Sequence, residues 1–140
     1  MIVYVDASVL LRVVLGESGA LESWGQITRR VSSEIIRLEC LRTIDRARVR
    51  RGLSDEVVAE RRAAVLQRLG AFELVPLDAV VLARAADPFP TVLGSFDAVH
   101  LARALLARPQ LPELLLATHD RALAVGAHAM GFRVLGASVP

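Results

Sequence analysis

The spacing of apolar residues along the chain predicts short strands that alternate with helices. Five runs have the length and composition of strands: residues 2–5, 30–32, 72–76, 114–117 and 132–135. The segments between them carry helical spacing or the residues that begin and end helices. Because strands that are apolar throughout are typical of parallel sheets covered on both faces, we predict an α/β fold. Its three layers would be a mostly parallel sheet of four or five strands with helices on both faces.

Residues that cap helices set the boundaries of the predicted helices. These span residues 9–15, 19–27, 33–51, 54–69, 78–87, 96–108 and 120–130. Gly16 and Gly52 follow two of them, as glycine often does at helix C-termini. Ser54 and Ser95 stand at the start of two others and are predicted to be N-caps.

The size and composition of the chain fit a folded protein of one domain. Of its 140 residues, 54% are hydrophobic and 23% are charged, which excludes a disordered chain. We therefore expect a single domain over residues 1–140. No apolar run approaches the ~18 residues of a membrane span, and the acidic Asp6 near the start argues against a signal peptide. Cys40 is the only cysteine, which fits a cytoplasmic protein and predicts a small core residue.

Acidic residues recur where a predicted strand passes into a helix. Asp6 follows the first strand, Asp78 the third and Asp120 the fourth. Asp97 lies in the first turn of a predicted helix, and Glu39 lies inside the longest one. In open α/β sheets, ligands bind beyond the carboxyl ends of the strands. Acids that gather there would repel one another unless they hold a cation, and oxygen-only ligands suit Mg²⁺ or Mn²⁺.

Helix capping is the competing interpretation of the same aspartates. Aspartate is a preferred N-cap, and a negative charge at a helix N-terminus is stabilising by about 0.3–1 kcal/mol. Glu39 has Arg42 three residues later, which is the spacing of an ordinary exposed ion pair on a helix. The local pattern around Asp78 matches that of the other aspartates. Spacing alone therefore leaves open which of the acids converge.

Several other classes of site are excluded by what the chain lacks. It has no GxxxxGK(S/T) phosphate loop and no GxGxxG dinucleotide loop. All 17 basic residues are arginines, which argues against response-regulator receivers and haloacid-dehalogenase phosphatases, because both use a lysine beside their acids. His100, His119 and His128 lack zinc-ligand spacing, so zinc is not expected.

Four segments carry motifs that are specific when they occur together in this order. Residues 3–10 form an apolar strand followed by Asp-x-Ser and an apolar helix, and residues 33–42 contain Ser and then Glu-x-x-Arg. Residues 95–102 contain Asp-Ala-x-His-x-Ala, and residues 118–131 contain Thr-x-Asp followed by Ala and Gly. Along essentially its whole length, the chain resembles the PIN-domain ribonucleases and, within them, the VapC toxins of bacterial toxin–antitoxin pairs.

The resemblance implies an acidic site within a single PIN-like nuclease domain. Its carboxylates would be Asp6, Glu39, Asp97 and Asp120. By the same resemblance, Asp6, Asp97 and Asp120 would bind Mg²⁺ or Mn²⁺, with Asp6 and Asp97 the first candidates for direct ligands. Ser8 and Thr118 would orient carboxylates or a bound water, although Ser8 equally fits a helix start. Asp78 matches no functional position and is expected to cap a helix at the far side of the sheet.

The function implied by the resemblance is metal-dependent endonucleolytic cleavage of RNA by a toxin. A VapB-like antitoxin would inhibit it, and a homodimer and a toxin–antitoxin hetero-oligomer are expected. One alternative is a PIN-fold nuclease that acts in RNA maturation or on structured DNA without an antitoxin. Another is a non-catalytic binding domain whose acids only cap helices.

One segment of the chain is basic, whereas the remainder is mildly acidic. Residues 29–68 contain eleven arginines and six acids, a local charge of +5, and the remainder carries −3. Because arginine pairs with phosphate in a bidentate geometry, this segment is the predicted RNA contact. The arginines that flank the turn at Gly52 are Arg46, Arg48, Arg50, Arg51, Arg61 and Arg62, and the candidates are the four that precede it: Arg46, Arg48, Arg50 and Arg51. An arginine-rich helix surface in contact with water alone is an equal alternative in a chain without lysine.

Overall fold

The computed structural model describes residues 1–139, and this part of the chain forms five strands, six α-helices and one 3₁₀ helix. The strands are β1 (Ile2–Val5), β2 (Arg29–Ser33), β3 (Glu73–Val75), β4 (Leu115–Ala117) and β5 (Val134–Leu135). The α-helices are α1 (Ala7–Leu15), α2 (Ile35–Arg51), α3 (Asp55–Leu69), α4 (Ala79–Ala86), α5 (Ser95–Ala107) and α6 (Arg121–Ala129). The 3₁₀ helix covers Glu22–Gln26.

The five strands form a parallel sheet in the order β3-β2-β1-β4-β5. The chain builds outward from β1 to β2 and β3, and then returns to place β4 on the other side of β1. Val5 at the end of β1 pairs in register with Ala117 at the end of β4. The strand order therefore reverses between β1 and β4, and ligands of open parallel sheets bind at such a switch point. The predicted α/β fold with a parallel sheet is confirmed.

Successive residues of β1 point into two separate cores, one on each face of the sheet. Val3 and Val5 pack with side chains of α1, α2 and α3, whereas Tyr4 packs with side chains of α5 and α6. Cys40 is fully buried in the first of these cores, which confirms the prediction of a small core residue. Helices thus cover both faces of the sheet, as the apolar strands predict.

Two predicted local features are wrong. The sequence predicts a helix over residues 19–27, but only Glu22–Gln26 is helical, and it is a 3₁₀ helix. Gly19 has a φ of +76°, a left-handed conformation that a regular right-handed helix cannot include. Ser95 is predicted to be an N-cap, but it is the first residue of α5, and Gly94 is the cap without any side-chain bond. Glycine is also accepted at N-caps, so the helix begins one residue earlier than expected.

Apolar side chains are exposed on consecutive elements at the β3 edge of the sheet. Leu74 of β3 is 37% exposed, and Val80 and Leu82 of α4 are 63% and 51% exposed. Exposed apolar residues are candidates for contacts with another protein surface where they form a patch. Within residues 1–139, no helix has both the length and the apolar character needed to cross a membrane.

Candidate active site

Asp6 joins the end of β1 to the start of α1 and accepts three hydrogen bonds. Its Oδ1 atom accepts from the Ser8 hydroxyl at 2.7 Å and from the Val9 backbone N–H at 3.1 Å, so Asp6 is the N-cap of α1. Its Oδ2 atom accepts from the Thr118 hydroxyl at 2.6 Å. Burial raises the pKa of Asp6, whereas the hydrogen bonds from Thr118, Ser8 and Val9 oppose that rise. The carboxylate is therefore fixed in one orientation beside the switch point.

Ser8 and Thr118 tie the end of β4 to the start of α1. The Ser8 hydroxyl donates to Asp6 and accepts the His119 backbone N–H at 2.9 Å. The Thr118 hydroxyl also donates to Asp6 and accepts the Asp120 backbone N–H at 2.9 Å. Each hydroxyl thus uses its donor and an acceptor position at once. Both residues contact the carboxylate that the resemblance predicts them to orient.

Asp120 caps α6 and keeps one carboxylate oxygen available. Its Oδ1 atom accepts the Leu123 backbone N–H at 2.8 Å. No hydrogen bond within residues 1–139 uses its Oδ2 atom. Capping and ion binding are therefore compatible at this residue, because the cap occupies only one of the two oxygens.

Asp97 is the carboxylate whose pKa is raised by burial and by the charges of the other acids. It is half-buried in the first turn of α5, and no residue in the described range 1–139 forms a hydrogen bond or an ion pair with its side chain. Burial raises its pKa from 3.8 to about 6, and the carboxylates of Asp120, Asp6 and Glu39 add to the rise, in that order. A perturbed carboxyl group surrounded by like charges is typical of a functional site, although such networks also occur for structural reasons.

Glu39 of α2 is held by a buried histidine. The Nε2 atom of His100 lies 2.8 Å from Glu39 Oε2, and its Nδ1 atom lies 2.9 Å from the Tyr4 hydroxyl oxygen. The Ser33 backbone N–H donates to the same hydroxyl oxygen at 3.0 Å. Burial raises the pKa of Tyr4 well above its ordinary value, so this hydroxyl keeps its proton. Glu39 therefore lies at the end of a hydrogen-bonded chain that starts in the sheet.

Sequence patterns assign no role at the site to Tyr4, and they include His100 only within the Asp-Ala-x-His-x-Ala motif and as an unsupported zinc ligand. A signal was present, because His100 follows Asp97 by three residues and therefore lies one helical turn along from it. Tyr4 precedes Asp6 by two residues, and alternate residues of a strand point to the same face. Both residues are completely buried, which is unusual for a histidine unless its ring nitrogens are bonded.

Four carboxylates, which we call the acidic cluster, have no arginine partner in the described part of the chain: Asp6, Glu39, Asp97 and Asp120. The arginine ion pairs lie elsewhere, at Arg29–Glu73, Arg42–Asp45 and Arg48–Asp55. Within residues 1–139, no three His, Cys, Asp or Glu side chains are placed to enclose one metal ion. Mg²⁺ usually binds one or two carboxylates and keeps several waters, so these oxygen donors fit it without such an enclosure.

Asp78 has the capping role expected of it. Its Oδ1 atom accepts the Val81 backbone N–H at 2.9 Å and caps α4. It follows the edge strand β3, which β2 separates from β1. The prediction of a helix cap, distant from the switch point, is confirmed.

The arginines predicted to contact RNA lie in the second half of α2 and point in different directions. At 3.6 residues per turn, Arg46 and Arg50 lie on the same side of α2 as Glu39, about 10 and about 16 Å further along the helix. Arg48 lies on the opposite side and pairs with Asp55 of α3 at 3.2 Å. Arg46 and Arg50 are both exposed. Two of the four candidates, Arg46 and Arg50, thus lie on the side of α2 that carries Glu39, whereas Arg48 lies on the opposite side.

Comparison with known proteins assigns the family. The model of the PIN domain matches residues 3–128 of this chain. Ribonuclease VapC35 from Mycobacterium tuberculosis, in both the CDC 1551 / Oshkosh and the H37Rv strains, is 32% identical over 138 residues, which cover 95% of each chain.

Two solved structures share the fold at low sequence identity. One is the crystal structure of PAE2754 from Pyrobaculum aerophilum, with a TM-score of 0.65 and 19% identity over 96% of this chain and 83% of that one. The other is a toxin–antitoxin complex from Klebsiella pneumoniae, with a TM-score of 0.63 and 17% identity over 89% of this chain and 91% of that one. The family match and the curated relatives therefore confirm the resemblance read from the motifs: the chain belongs to the PIN-domain family, among its VapC-type members.

Proposed function

We propose that this protein is an endoribonuclease that depends on a divalent cation and acts as the toxin of a toxin–antitoxin pair. The observation that carries the proposal is the gathering of four carboxylates that have no arginine partner within residues 1–139. Burial and the charges of Asp120, Asp6 and Glu39 raise the pKa of Asp97 to about 6. The negative charge of such a cluster attracts cations and repels the phosphates of a substrate. A bound ion neutralises that charge and allows a phosphate to approach. The relative named Ribonuclease VapC35 supports RNA as the substrate.

The residues proposed to bind the ion are Asp6, Asp97 and Asp120, one or two of them directly and the rest through waters on the ion. Asp97 offers both oxygens, Asp120 offers Oδ2, and Asp6 has one remaining lone-pair position beside its three donors. The chemistry supplied by bound Mg²⁺ or Mn²⁺ is polarisation of the phosphate and a lowered pKa of water. Ser8 and Thr118 would keep Asp6 in place during the reaction.

Glu39 is the carboxylate proposed to take the proton of the attacking water. Its Oε2 atom is engaged by His100, whereas no hydrogen bond within residues 1–139 uses its Oε1 atom. Water would then add to phosphorus as the bond from phosphorus to the 3′ oxygen breaks in line with it. The departing 3′ oxygen would take a proton from a solvent water, leaving a 5′-phosphate and a 3′-hydroxyl. Asp120 is the second candidate for this role, because its Oδ2 atom is also available.

The RNA backbone is proposed to follow the side of α2 that carries Glu39, Arg46 and Arg50. Two exposed guanidinium groups on that side can each pair with a phosphate. Arg48 and Arg51 are weaker candidates, because Arg48 is paired with Asp55 and Arg51 projects from a different side of the helix. Aromatic residues make up only 4% of the chain, so stacking on bases contributes little.

Partners and location are part of the same proposal. The toxin–antitoxin complex from Klebsiella pneumoniae supports a VapB-like antitoxin as the inhibitor. The exposed Leu74, Val80 and Leu82 support a contact with a second copy in a homodimer. The single buried Cys40 is compatible with a cytoplasmic location. Light scattering of the purified protein, alone and after co-expression with any short upstream reading frame, tests both assemblies.

The experiment that tests the activity compares cleavage of labelled single-stranded RNA by wild type, Asp6→Asn and Asp97→Asn. We expect cleavage with Mg²⁺ or Mn²⁺, none with excess EDTA, and a loss of about 10²-fold or more in either variant. Asp87→Asn is the matched control, because Asp87 is an exposed aspartate outside the cluster. Wild-type cleavage in EDTA, or by either cluster variant, would contradict the proposal.

A further inference from the structure

His100 is completely buried, and both of its ring nitrogens are engaged by groups from other elements. Nδ1 meets the hydroxyl of Tyr4 in β1, and Nε2 meets the carboxylate of Glu39 in α2. These partners lie 96 and 61 residues away in sequence. The imidazole thus connects the central strand to the carboxylate proposed to take the proton.

The hydrogen bonds around Tyr4 define which nitrogen of His100 carries the proton. The Tyr4 oxygen already accepts the Ser33 backbone N–H, so its own hydrogen is free to be donated to His100 Nδ1. Nε2 then carries the ring proton and donates it to Glu39 Oε2 at 2.8 Å. The opposite tautomer would direct a lone pair at a carboxylate and leave the Tyr4 hydrogen without an acceptor. The three partners therefore favour a neutral imidazole with its proton on Nε2.

Glu39 needs such a donor because of the charges beside it. Its carboxylate is among those that raise the pKa of Asp97, so it lies within reach of mutual repulsion with the cluster. Its side chain is 19% exposed, so a rotation of the side chain would bring the carboxylate into water. A charge-assisted hydrogen bond from a fully buried ring opposes that rotation.

From these contacts we infer that His100 is a positioning residue that holds Glu39 in the cluster, and that Tyr4 selects the His100 tautomer that does so. The inference rests on the proposed nuclease function for its catalytic consequence. The hydrogen-bond arrangement itself can be tested without any activity. His100 contacts no substrate in this account and acts only through Glu39.

The kinetic test uses His100→Leu and His100→Gln. The leucine variant removes the donor, and we expect kcat for RNA cleavage to fall by about 10²-fold, the scale of a misplaced general base, while KM changes little. Glutamine has an amide N–H that can reach Glu39, so it should recover at least part of the loss. His128→Leu is the control, because His128 is exposed on α6 and should leave kcat unchanged.

A double substitution separates positioning from a general loss of structure. If His100 acts through Glu39, then His100→Leu should cause little further loss of kcat in a Glu39→Gln protein. Losses that multiply in the double variant, or a His100→Gln variant no better than His100→Leu, would overturn the inference.

Nitrogen-15 NMR of the imidazole tests the tautomer in the wild-type protein without any substitution. We expect the signals of a neutral ring with a protonated Nε2 and an unprotonated Nδ1, and a decreased share of that tautomer in Tyr4→Phe. A proton on Nδ1 in the wild type would overturn the inference. If the wild type cleaves no RNA although Nε2 carries the proton, the nuclease proposal fails while the hydrogen-bond assignment stands.

Discussion

The hydroxyl of Thr118 donates a 2.6 Å hydrogen bond to Asp6 across 112 residues of the chain. Thr118 follows β4 and Asp6 follows β1, two strands that are neighbours only because the strand order reverses between them. This bond and the one from Ser8 fix one carboxylate of the acidic cluster through neutral hydroxyl groups rather than through an arginine. The charge of Asp6 therefore remains available to a cation.

Removing the Thr118 hydroxyl should lower the stability of the protein. In Thr118→Val, Asp6 Oδ2 loses its donor and the Asp120 backbone N–H loses its acceptor, at a cost of about 1–3 kcal/mol in the free energy of unfolding. Thr118→Ser keeps the hydroxyl and is the matched control. Urea unfolding of both variants measures the effect, and equal stabilities would show that the hydrogen bonds contribute nothing net.

Removing the charge of Asp97 should stabilise the protein when no metal is present. The native pKa of Asp97 is raised from 3.8 to about 6, so between these values the folded state binds more protons than the unfolded state. The free energy of unfolding should therefore fall as pH rises from about 4 to about 6, and the loss is complete above that range. Because Asp97 is partly exposed, we expect Asp97→Asn to recover only about 1–2 kcal/mol at pH 7.5.

Thermal unfolding at pH 7.5 and at pH 4 measures this effect. The gain in Tm of Asp97→Asn over wild type should be present at pH 7.5 and nearly absent at pH 4. Asp87→Asn should show neither gain, because Asp87 is exposed and outside the cluster. A variant that is less stable than wild type at pH 7.5 would mean that Asp97 is stabilised in the metal-free protein.

A bound divalent ion should reverse that order of stabilities. An ion that binds only the folded state adds about 2.7 kcal/mol at a concentration one hundred times its Kd. Mn²⁺ should therefore raise the Tm of wild type and of Asp87→Asn, but raise that of Asp97→Asn far less. Melting curves with Mn²⁺, and after addition of EDTA, check this expectation, and an equal rise in Asp97→Asn would place the ion elsewhere.

The apolar strands predict the parallel sheet, and with it the general position of Asp6 and Asp120 at strand ends. The order of the strands in the sheet decides which acids lie close together. The spacing of apolar residues along the chain does not reveal that order. From the sequence alone, capping and ion binding are alternative roles for the aspartates. Asp6 and Asp120 are in fact caps that each retain capacity to accept further bonds, while Asp97 caps nothing.

The contact of His100 with Tyr4 and Glu39 is not predicted by the sequence, although spacing places His100 three residues after Asp97 and Tyr4 two residues before Asp6. It depends on which face of β1 carries Tyr4 and on how α2 and α5 are rotated against the sheet, both of which are set by packing. The helix predicted over residues 19–27 failed for local reasons, the positive φ of Gly19 and the extended backbone at Leu21 and Ile27.

The two sides of α2 should differ in their contribution to RNA binding. Arg46→Ala combined with Arg50→Ala should weaken RNA binding and reduce the slope of log K against log salt by about 1.4, or about 0.7 per lost phosphate contact. The paired control is Arg48→Ala with Arg51→Ala, since Arg48 already pairs with Asp55. Fluorescence anisotropy in Mg²⁺ with the inactive Asp97→Asn background measures both. Equal losses in the two pairs would contradict the proposed path of the RNA.

Paramagnetic broadening by Mn²⁺ in the NMR spectrum tests most directly whether the four acids form one ion-binding site. At a small fraction of one equivalent of Mn²⁺, we predict that the amide signals next to Asp6, Glu39, Asp97 and Asp120 broaden together. Those next to Asp45, Asp78 and Asp87 should remain sharp. Broadening spread over these other acids, or none near Asp97, would contradict the account.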